Sequence, residues 1–456
     1  MRSPPEFDVV IIGAGASGEA AAHYARLRGA TVAIVERDLV GGSCPFWACI
    51  PSKTLLHCAE VRAHGGDYPW ERASARRDYM INRVDRDYPD DSGHVRSLEG
   101  AGATVVRGTA RLAGPGRVEV RRDGETRTLA ARNVLIAVGS VGKVPKLEGL
   151  AESGYWSNVE ATSTRTLPRS MVVVGAGPSG VEIAQYFARY GVRTTILAPH
   201  RVNPTDHPRS SAVIAEALRR SGVDVRENVR AARVRPRAKD GEHVVELSDG
   251  TAVSGEVIQL SAGRTSAKAL RELGLDTIGV AYDGADLLTP DDRLRVAERT
   301  YLAGDVMGRE ISTHLGHYEG EMAIRIALGD DVRVDLDSVP RAVYTDPETA
   351  AVGLRLDQAR DRGVDAFEET AELATSAKGY VVEADTGHAT IVVDRARKTL
   401  VGAFLAGAGA SEAIHLAVLA LKLRTPMDTL AQTITAFPTT ARVLGGLFAA
   451  AAAKLR

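Results

Sequence analysis

Two of the three cysteines in this 456-residue chain, Cys44 and Cys49, lie in the stretch Gly41-Gly42-Ser43-Cys44-Pro45-Phe46-Trp47-Ala48-Cys49-Ile50-Pro51-Ser52-Lys53. Thiols this close can form a redox pair, contribute to a metal site, or simply pack as small buried hydrophobes. Zinc would need two further Cys or His ligands at short spacing, usually beginning C-x2-C, and neither is present, so no metal is expected. On a regular helix, residues five apart have Cα atoms about 8 to 9 Å apart and point about 140° away from each other. A disulfide needs about 4.4–6.8 Å. The segment must therefore bend or wind tightly if the pair closes, and Pro45 and Pro51 argue against a regular helix. On spacing alone, the redox and the inert readings are both open.

The elements upstream supply a context for that chemistry. Asp8 to Ile12 is a short apolar run suited to a buried parallel strand. It leads into Gly13-Ala14-Gly15-Ala16-Ser17-Gly18, a helical stretch from Glu19 to Arg28, and a second strand, Thr31 to Val35, ending on Glu36. This is the dinucleotide fingerprint in its strand-loop-helix-strand setting. Gly13, Gly15 and Gly18 let the backbone approach a pyrophosphate at the positive end of the helix, and Glu36 is placed for a ribose hydroxyl. The pattern recurs in the strand Met171 to Val174, the loop Gly175-Ala176-Gly177-Pro178-Ser179-Gly180 and a helix from Val181 to Tyr190. Gly175, Gly177 and Gly180 are its glycines. The strand after it, Thr194 to Leu197, carries no acid and continues Ala198-Pro199-His200-Arg201. A carboxylate there would hold the free ribose of NAD, whereas the pair His200 and Arg201 can take the 2′-phosphate of NADP. NADP is favoured, with NAD as the alternative.

Between the two units, the charged stretch Glu71 to Leu98 is expected as solvated helix and loop, and Gly108 to Leu112 and Val134 to Gly139 as returning strands. From Val339-Pro340 the texture changes: strand-like Ala389 to Val393 and Thr399 to Phe404 alternate with helical Ala410 to Lys422, and Ala449 to Lys454 is expected as a terminal helix. No internal repeat is visible beyond the two nucleotide units. Basic and acidic residues number 57 and 58, which leaves no charge excess to suggest nucleic acid or an anionic membrane. Three cysteines do not make a secreted disulfide framework, Met1 to Phe7 has no apolar signal core, and no apolar run approaches the ~20 residues that span a bilayer. A soluble cytoplasmic protein is the expectation.

The words around the cysteines narrow the chemistry. G-G-S-C-x4-C-I-P-S-K closely resembles the active-site signature of the FAD-dependent pyridine nucleotide-disulfide oxidoreductases, the family of glutathione reductase, dihydrolipoamide dehydrogenase and mercuric reductase. The resemblance covers nearly the whole chain. It implies an α/β architecture with two doubly wound Rossmann-like nucleotide-binding domains and an α+β C-terminal dimerisation domain. The implied boundaries are 1–150 for the first part of the FAD domain, 151–265 for the NAD(P) domain, 266–335 for the return to the FAD domain and 336–456 for the interface domain. It makes Cys44 the interchange thiol, Cys49 the charge-transfer thiol, Lys53 the lysine near the reactive flavin nitrogen, and Glu182 its partner by the nicotinamide. Gly42, Ser43, Ala110, Gly139 and Gly263 fall on the cofactor-binding segments, and Asp305, in Thr300-Tyr301-Leu302-Ala303-Gly304-Asp305-Val306, is implied to hydrogen-bond the ribityl chain. A homodimer whose active sites are each completed by the partner subunit is also implied.

One segment departs from the pattern. Ordinary members carry a His-Pro-Thr sequence followed by a glutamate; the matching stretch here is Ala436-Phe437-Pro438-Thr439-Thr440-Ala441-Arg442. Phe437 stands at the histidine position and Arg442 at the glutamate. Phenylalanine cannot protonate a leaving thiol, and arginine adds a fixed positive charge instead of orienting a base. His57, His314 and His317 are the histidines that could substitute, each more readily read as structural. A phenylalanine at this position is similar to the 2-ketopropyl-coenzyme M oxidoreductase/carboxylase branch, although Pro51-Ser52-Lys53 follows the ordinary reductases. Mercury is disfavoured because no cysteine follows Cys58, itself expected to be a buried structural thiol. The expectation is an NADPH-dependent FAD oxidoreductase passing electrons through Cys44 and Cys49 to an atypical acceptor. The alternatives are a conventional dihydrolipoamide or low-molecular-weight disulfide reductase with a substitute acid, a thioether-cleaving enzyme, a direct quinone reductase, and a redox sensor without turnover.

Overall fold

The strand Phe7–Ile12 sits near the middle of an eight-stranded sheet, with the parallel neighbours Val32–Glu36 on one side and Glu125–Ile136 on the other. These coordinates are a computed structural model that describes residues 6–237, 241–284, 287–308 and 310–456. The start of the N-terminal segment read for a signal core, residues 1–5, lies outside them. Central strands read as unbroken apolar runs because both faces of a parallel sheet are covered; Val9 to Ile12 are all buried. Thr104–Arg107 extends the sheet on one edge; on the other side Thr300–Leu302 joins Glu125–Ile136 in parallel, and Arg295–Ala297 pairs antiparallel with it at that edge. The hairpin of Thr109–Leu112 and Arg117–Arg122 attaches antiparallel to the long strand. This unit comprises residues 1–54, 74–143 and 263–334.

The second unit comprises residues 55–73, 144–262 and 335–456. It contains a four-stranded parallel sheet in the order Asp224–Glu227, Arg193–Ala198, Ser170–Val174, Val257–Leu260, and a three-stranded antiparallel sheet. Its C-terminal part is a five-stranded antiparallel sheet, ordered Pro340–Val343, Thr349–Gly353, Thr399–Ala406, His388–Asp394, Ala366–Glu372. The helices Ala410–Lys422 and Thr440–Lys454 contribute to its core. Cys58 is fully buried in this unit's apolar core, a structural position as expected.

Two readings of the sequence need correction. The stretch 71–98 is not simply solvated: it forms the helices Trp70–Met80 and Ser92–Gly100, and Arg77 is fully buried. Burial is tolerated because Asp78 accepts from Arg77 Nε at 2.7 Å and from Arg83, so the charges are paired and hydrogen-bonded. The terminal helix is also longer than its alanine run and begins at Thr440. Thr439 caps it by accepting from the Arg442 N–H, and Leu444, Leu447, Phe448 and Ala451 recur on its buried face at helical spacing.

Candidate functional site

The first glycine loop and the cysteine segment are stitched together. The Gly41 N–H donates to the Ala14 carbonyl at 2.7 Å, and Gly15 and Gly41 form a parallel bridge. Gly42 adopts φ 70° and ψ −155°, and a Cβ there would lie 2.7 Å from the Gly15 Cα. Only glycine fits both the backbone conformation and that approach. From Gly42 the chain enters the short helix Ser43–Trp47, breaks at Ala48 with φ −135° and ψ −93°, and resumes as the helix Cys49–Ala63. The bend inferred from the cysteine spacing is therefore present, yet regular helix lies on both sides of it. Pro45 and Pro51 are each the third residue of their helix, where the absent N–H costs no intrahelical bond. Phe46 is buried with Leu39 and Ile81 and meets the His94 ring edge-on at 5.5 Å, which anchors the short helix. Glu19, 2.9 Å from His94, raises that imidazole's pKa.

Cys44 and Cys49 are both free thiols, half-buried, and meet at the hydroxyl of Thr313. Thr313 Oγ1 donates to Cys44 Sγ at 3.1 Å and lies 3.3 Å from Cys49 Sγ. Thr313 opens the 15-residue helix Thr313–Ala327, whose N-cap Ser312 accepts from the Leu315 N–H. The positive end of a helix dipole favours thiolate. Even so, the hydrogen bond to Cys49, burial and the neighbouring sulfur's charge push the Cys44 thiol up, against the lowering pull of Thr313 and Lys53. Such a pair yields its protons in sequence rather than together. Lys53 lies one helical turn beyond Cys49, and its Nζ is 3.5 Å from Ser52 Oγ.

The glycine loops are suited to dinucleotides. Gly15 is the N-cap of the helix Ala16–Leu27 and Gly177 that of Pro178–Arg189, and neither helix has a side-chain cap, so the first-turn N–H groups are available to a pyrophosphate. A Cβ on Gly18 would stand 2.0 Å from the Gly13 carbonyl, and one on Gly180 2.1 Å from that of Gly175. Glu36 accepts from the Ala14 and Asp38 N–H groups, each at 2.8 Å, through different oxygens, which leaves a lone pair on each for ribose hydroxyls. Burial raises its pKa despite these bonds. Asp305 accepts from Ser140 Oγ at 2.6 Å, and Arg264 donates to the same serine through Nε at 2.7 Å and to its carbonyl at 2.6 Å. Gly139 and Gly263 flank these residues, with the Gly139 carbonyl taken by Ser266 Oγ. Ser43 is exposed at the start of its short helix, and Ala110 is half-buried in the hairpin strand. These residues fit the FAD expected at the first loop.

In the second unit, Glu182 is buried and accepts from the Tyr344 N–H at 3.0 Å. His200 is exposed. Arg201 donates through Nε to Ser211 Oγ and through one Nη to the carbonyls of Pro204 and Asp206, which fixes its guanidinium at the end of its strand. Glu227, not singled out in the sequence, accepts from the Val202 N–H at 2.9 Å on the neighbouring strand end. Thr313, Ser140 and Arg264, which contact candidate site residues, are likewise not singled out by the sequence. Phe437 is 74 % exposed and lines a cleft with Arg442. His57 and His317 are exposed, and His314 contacts Ser312 Oγ at 3.1 Å. Glu60, His64 and Asp346 bring potential ligand atoms within 4.8 Å of one another, but the Arg189 guanidinium already neutralises Asp346 at 2.7 Å. Among the described residues, no helix is long and apolar enough to cross a membrane.

Comparison with known proteins agrees with this geometry. The chain is 31% identical over 458 residues to a dihydrolipoyl dehydrogenase of Chlorobaculum tepidum, covering 95% of this chain and 94% of that one. It is 30% identical over 437 residues to a mercuric reductase of Shigella flexneri, covering 93% and 77%. Among solved structures, LpdA of Mycobacterium tuberculosis superposes with a TM-score of 0.86 at 25% identity, covering 97% and 99% of the two chains. The HOCl-induced flavoprotein disulfide reductase RclA of Escherichia coli does so with a TM-score of 0.85 at 25% identity, with the same coverage. Residues 7–321 match the pyridine nucleotide-disulphide oxidoreductase family and residues 339–446 its dimerisation domain. With its glutathione reductase-like α/β fold and paired thiols beside a dinucleotide loop, the chain belongs to the pyridine nucleotide-disulphide oxidoreductases, a family of FAD-dependent enzymes.

Proposed function

We propose that this protein is a homodimeric NADPH-dependent FAD oxidoreductase that delivers electrons through Cys44 and Cys49 to an acceptor requiring no general acid. The observation that carries the reading is the pair of thiols sharing the Thr313 hydroxyl directly after the dinucleotide loop. FAD, when bound, supplies the two-electron relay between nicotinamide and disulfide. Reduction converts the Cys44–Cys49 disulfide to a dithiol. The Cys44 thiolate then attacks one sulfur of a disulfide acceptor, breaking its S–S bond and expelling a thiolate. Cys49 attacks Cys44, closing the internal disulfide and expelling the second thiolate. In relatives a histidine would protonate these leaving groups; the matching position here is Phe437, followed by Arg442. Acceptors whose leaving group is stable without a proton are therefore favoured: disulfides of acidic thiols, thioethers that release a stabilised carbanion, or quinones. NADPH is supported by the absence of a carboxylate at the end of strand Arg193–Ala198 and by the anchored Arg201.

Anaerobic reduction by NADPH followed by a panel of disulfides tests the reading. Two titratable thiols should appear on reduction, NADH should be needed at higher concentration, and lipoamide should reoxidise the dithiol slowly. Phe437→His combined with Arg442→Glu should accelerate lipoamide reoxidation by about 10²-fold, the scale of a positioned general acid. Rapid reoxidation of the native enzyme by lipoamide would return it to the conventional reductases.

A further inference from the structure

We infer that the cleft beside Phe437 binds an anionic group on the substrate, so that the substrate is a small sulfur compound carrying a carboxylate or similar oxyanion on a short apolar chain. This rests on the reading above, in which the Phe437 segment forms part of the acceptor site. The cleft encloses about 550 Å³ between the helix Ala377–Val381 and the helix Thr440–Lys454, and Lys378, Phe437, Pro438, Arg442 and Leu447 are among its walls.

Three features of the cleft point to an anion. Lys378 and Arg442 both line it, and neither has a carboxylate partner among the described residues. The acid on its wall, Glu372, is already paired with Arg209. Arg442 also lies in the first turn of a 15-residue helix, where the dipole disfavours a cation. That unfavourable placement is offset when an anion bridges the helix N-terminus and the guanidinium, which is suited to bidentate contact with an oxyanion. Phe437 supplies the complementary surface: 74 % exposed, it offers an apolar face to an alkyl chain next to the two cations. Arg442 is thus a specificity residue, and the lost acid–base pair has become a binding pair.

Isothermal titration of the oxidised holoenzyme with dithiodipropionate and with uncharged hydroxyethyl disulfide reads this without turnover. The native protein should bind the dianion about tenfold more tightly, a difference of ~1.4 kcal/mol. Arg442→Gln should abolish the preference, Lys378→Gln should reduce it, and Arg442→Lys should keep part of it. Equal affinity for the two probes, no binding of either, or a preference that survives Arg442→Gln overturns the inference. The native protein's own preference carries the test should a variant fail to fold. If the preference holds but neither disulfide reoxidises the dithiol, the anion subsite stands, and the disulfide acceptor in the proposed function is what fails.

Discussion

At the scale of single residues, the chemistry turns on which sulfur holds a proton. Thr313 touches both thiols, and its hydroxyl can serve whichever one carries charge. It lowers the Cys44 thiol's pKa, while Cys49 and burial raise it. Replacing the hydroxyl by a methyl of similar shape should therefore raise the thiol further. In Thr313→Val, the midpoint of iodoacetamide alkylation should move up by about one pH unit, equivalent to ~1.4 kcal/mol of lost thiolate stabilisation. An unchanged alkylation profile would mean that the threonine only packs. This residue was invisible as a partner because 269 positions separate it from Cys44. The same reason hides Ser140 and Arg264: each sits beside a recognisable glycine, but Ser140 meets Asp305 across a sequence separation of 165.

At the scale of elements, the bend between the two cysteine helices and the joint between glycine loop and cysteine segment matter most. Gly42→Ala places a Cβ 2.7 Å from the Gly15 Cα in a conformation that only glycine adopts readily. The strain should cost about 1–3 kcal/mol, seen as a lower melting temperature, and the displaced loop should retain FAD less well on gel filtration. Melting and flavin content equal to the native protein would show that the joint yields without cost. The prolines carry the lesson about legibility here. They correctly mark a discontinuity, but they do not prevent helix, because each falls in a first turn where its missing donor is harmless. The position of a helix start relative to a proline is a one-residue matter that the spacing of cysteines alone does not resolve.

At the scale of the whole molecule, pH acts through groups held far from their solution behaviour. His388 is buried in the sheet, with Ser210 Oγ 3.1 Å from Nε2 and Thr390 Oγ1 2.9 Å from Nδ1. Burial, reinforced by His207 and Arg209, lowers its pKa to about 3. The unfolded chain regains an ordinary imidazole near pH 6.5 and binds one more proton than the folded chain between those values. Stability due to this group is thus fully present above about pH 6.5 and falls by ~1.4 kcal/mol per unit as pH drops towards the folded value. The fall in melting temperature between pH 7.5 and 5.5 should be smaller in His388→Gln than in the native protein. An identical fall would place the acid sensitivity elsewhere.

The chain's local order was sufficient to mark its two glycine loops and, through the words around Cys44 and Cys49, the family resemblance of its cysteine stretch. Strand, glycine loop and helix are contiguous in both units, with a following acid, Glu36, in the first, and the physics of a pyrophosphate at a helix N-terminus needs no distant partner. The same holds for Cys44 and Cys49, which lie in one bent segment. Tertiary structure alone decided the rest. It brought Thr313 to the sulfurs, closed the Ser140–Asp305–Arg264 cluster, buried Arg77 against Asp78, and set Lys378 beside Arg442 in one cleft. Apart from Arg77 and Asp78, which are neighbours in the chain, each of these joins separated residues whose types are unremarkable in sequence, and such distances are set by packing rather than by composition or period.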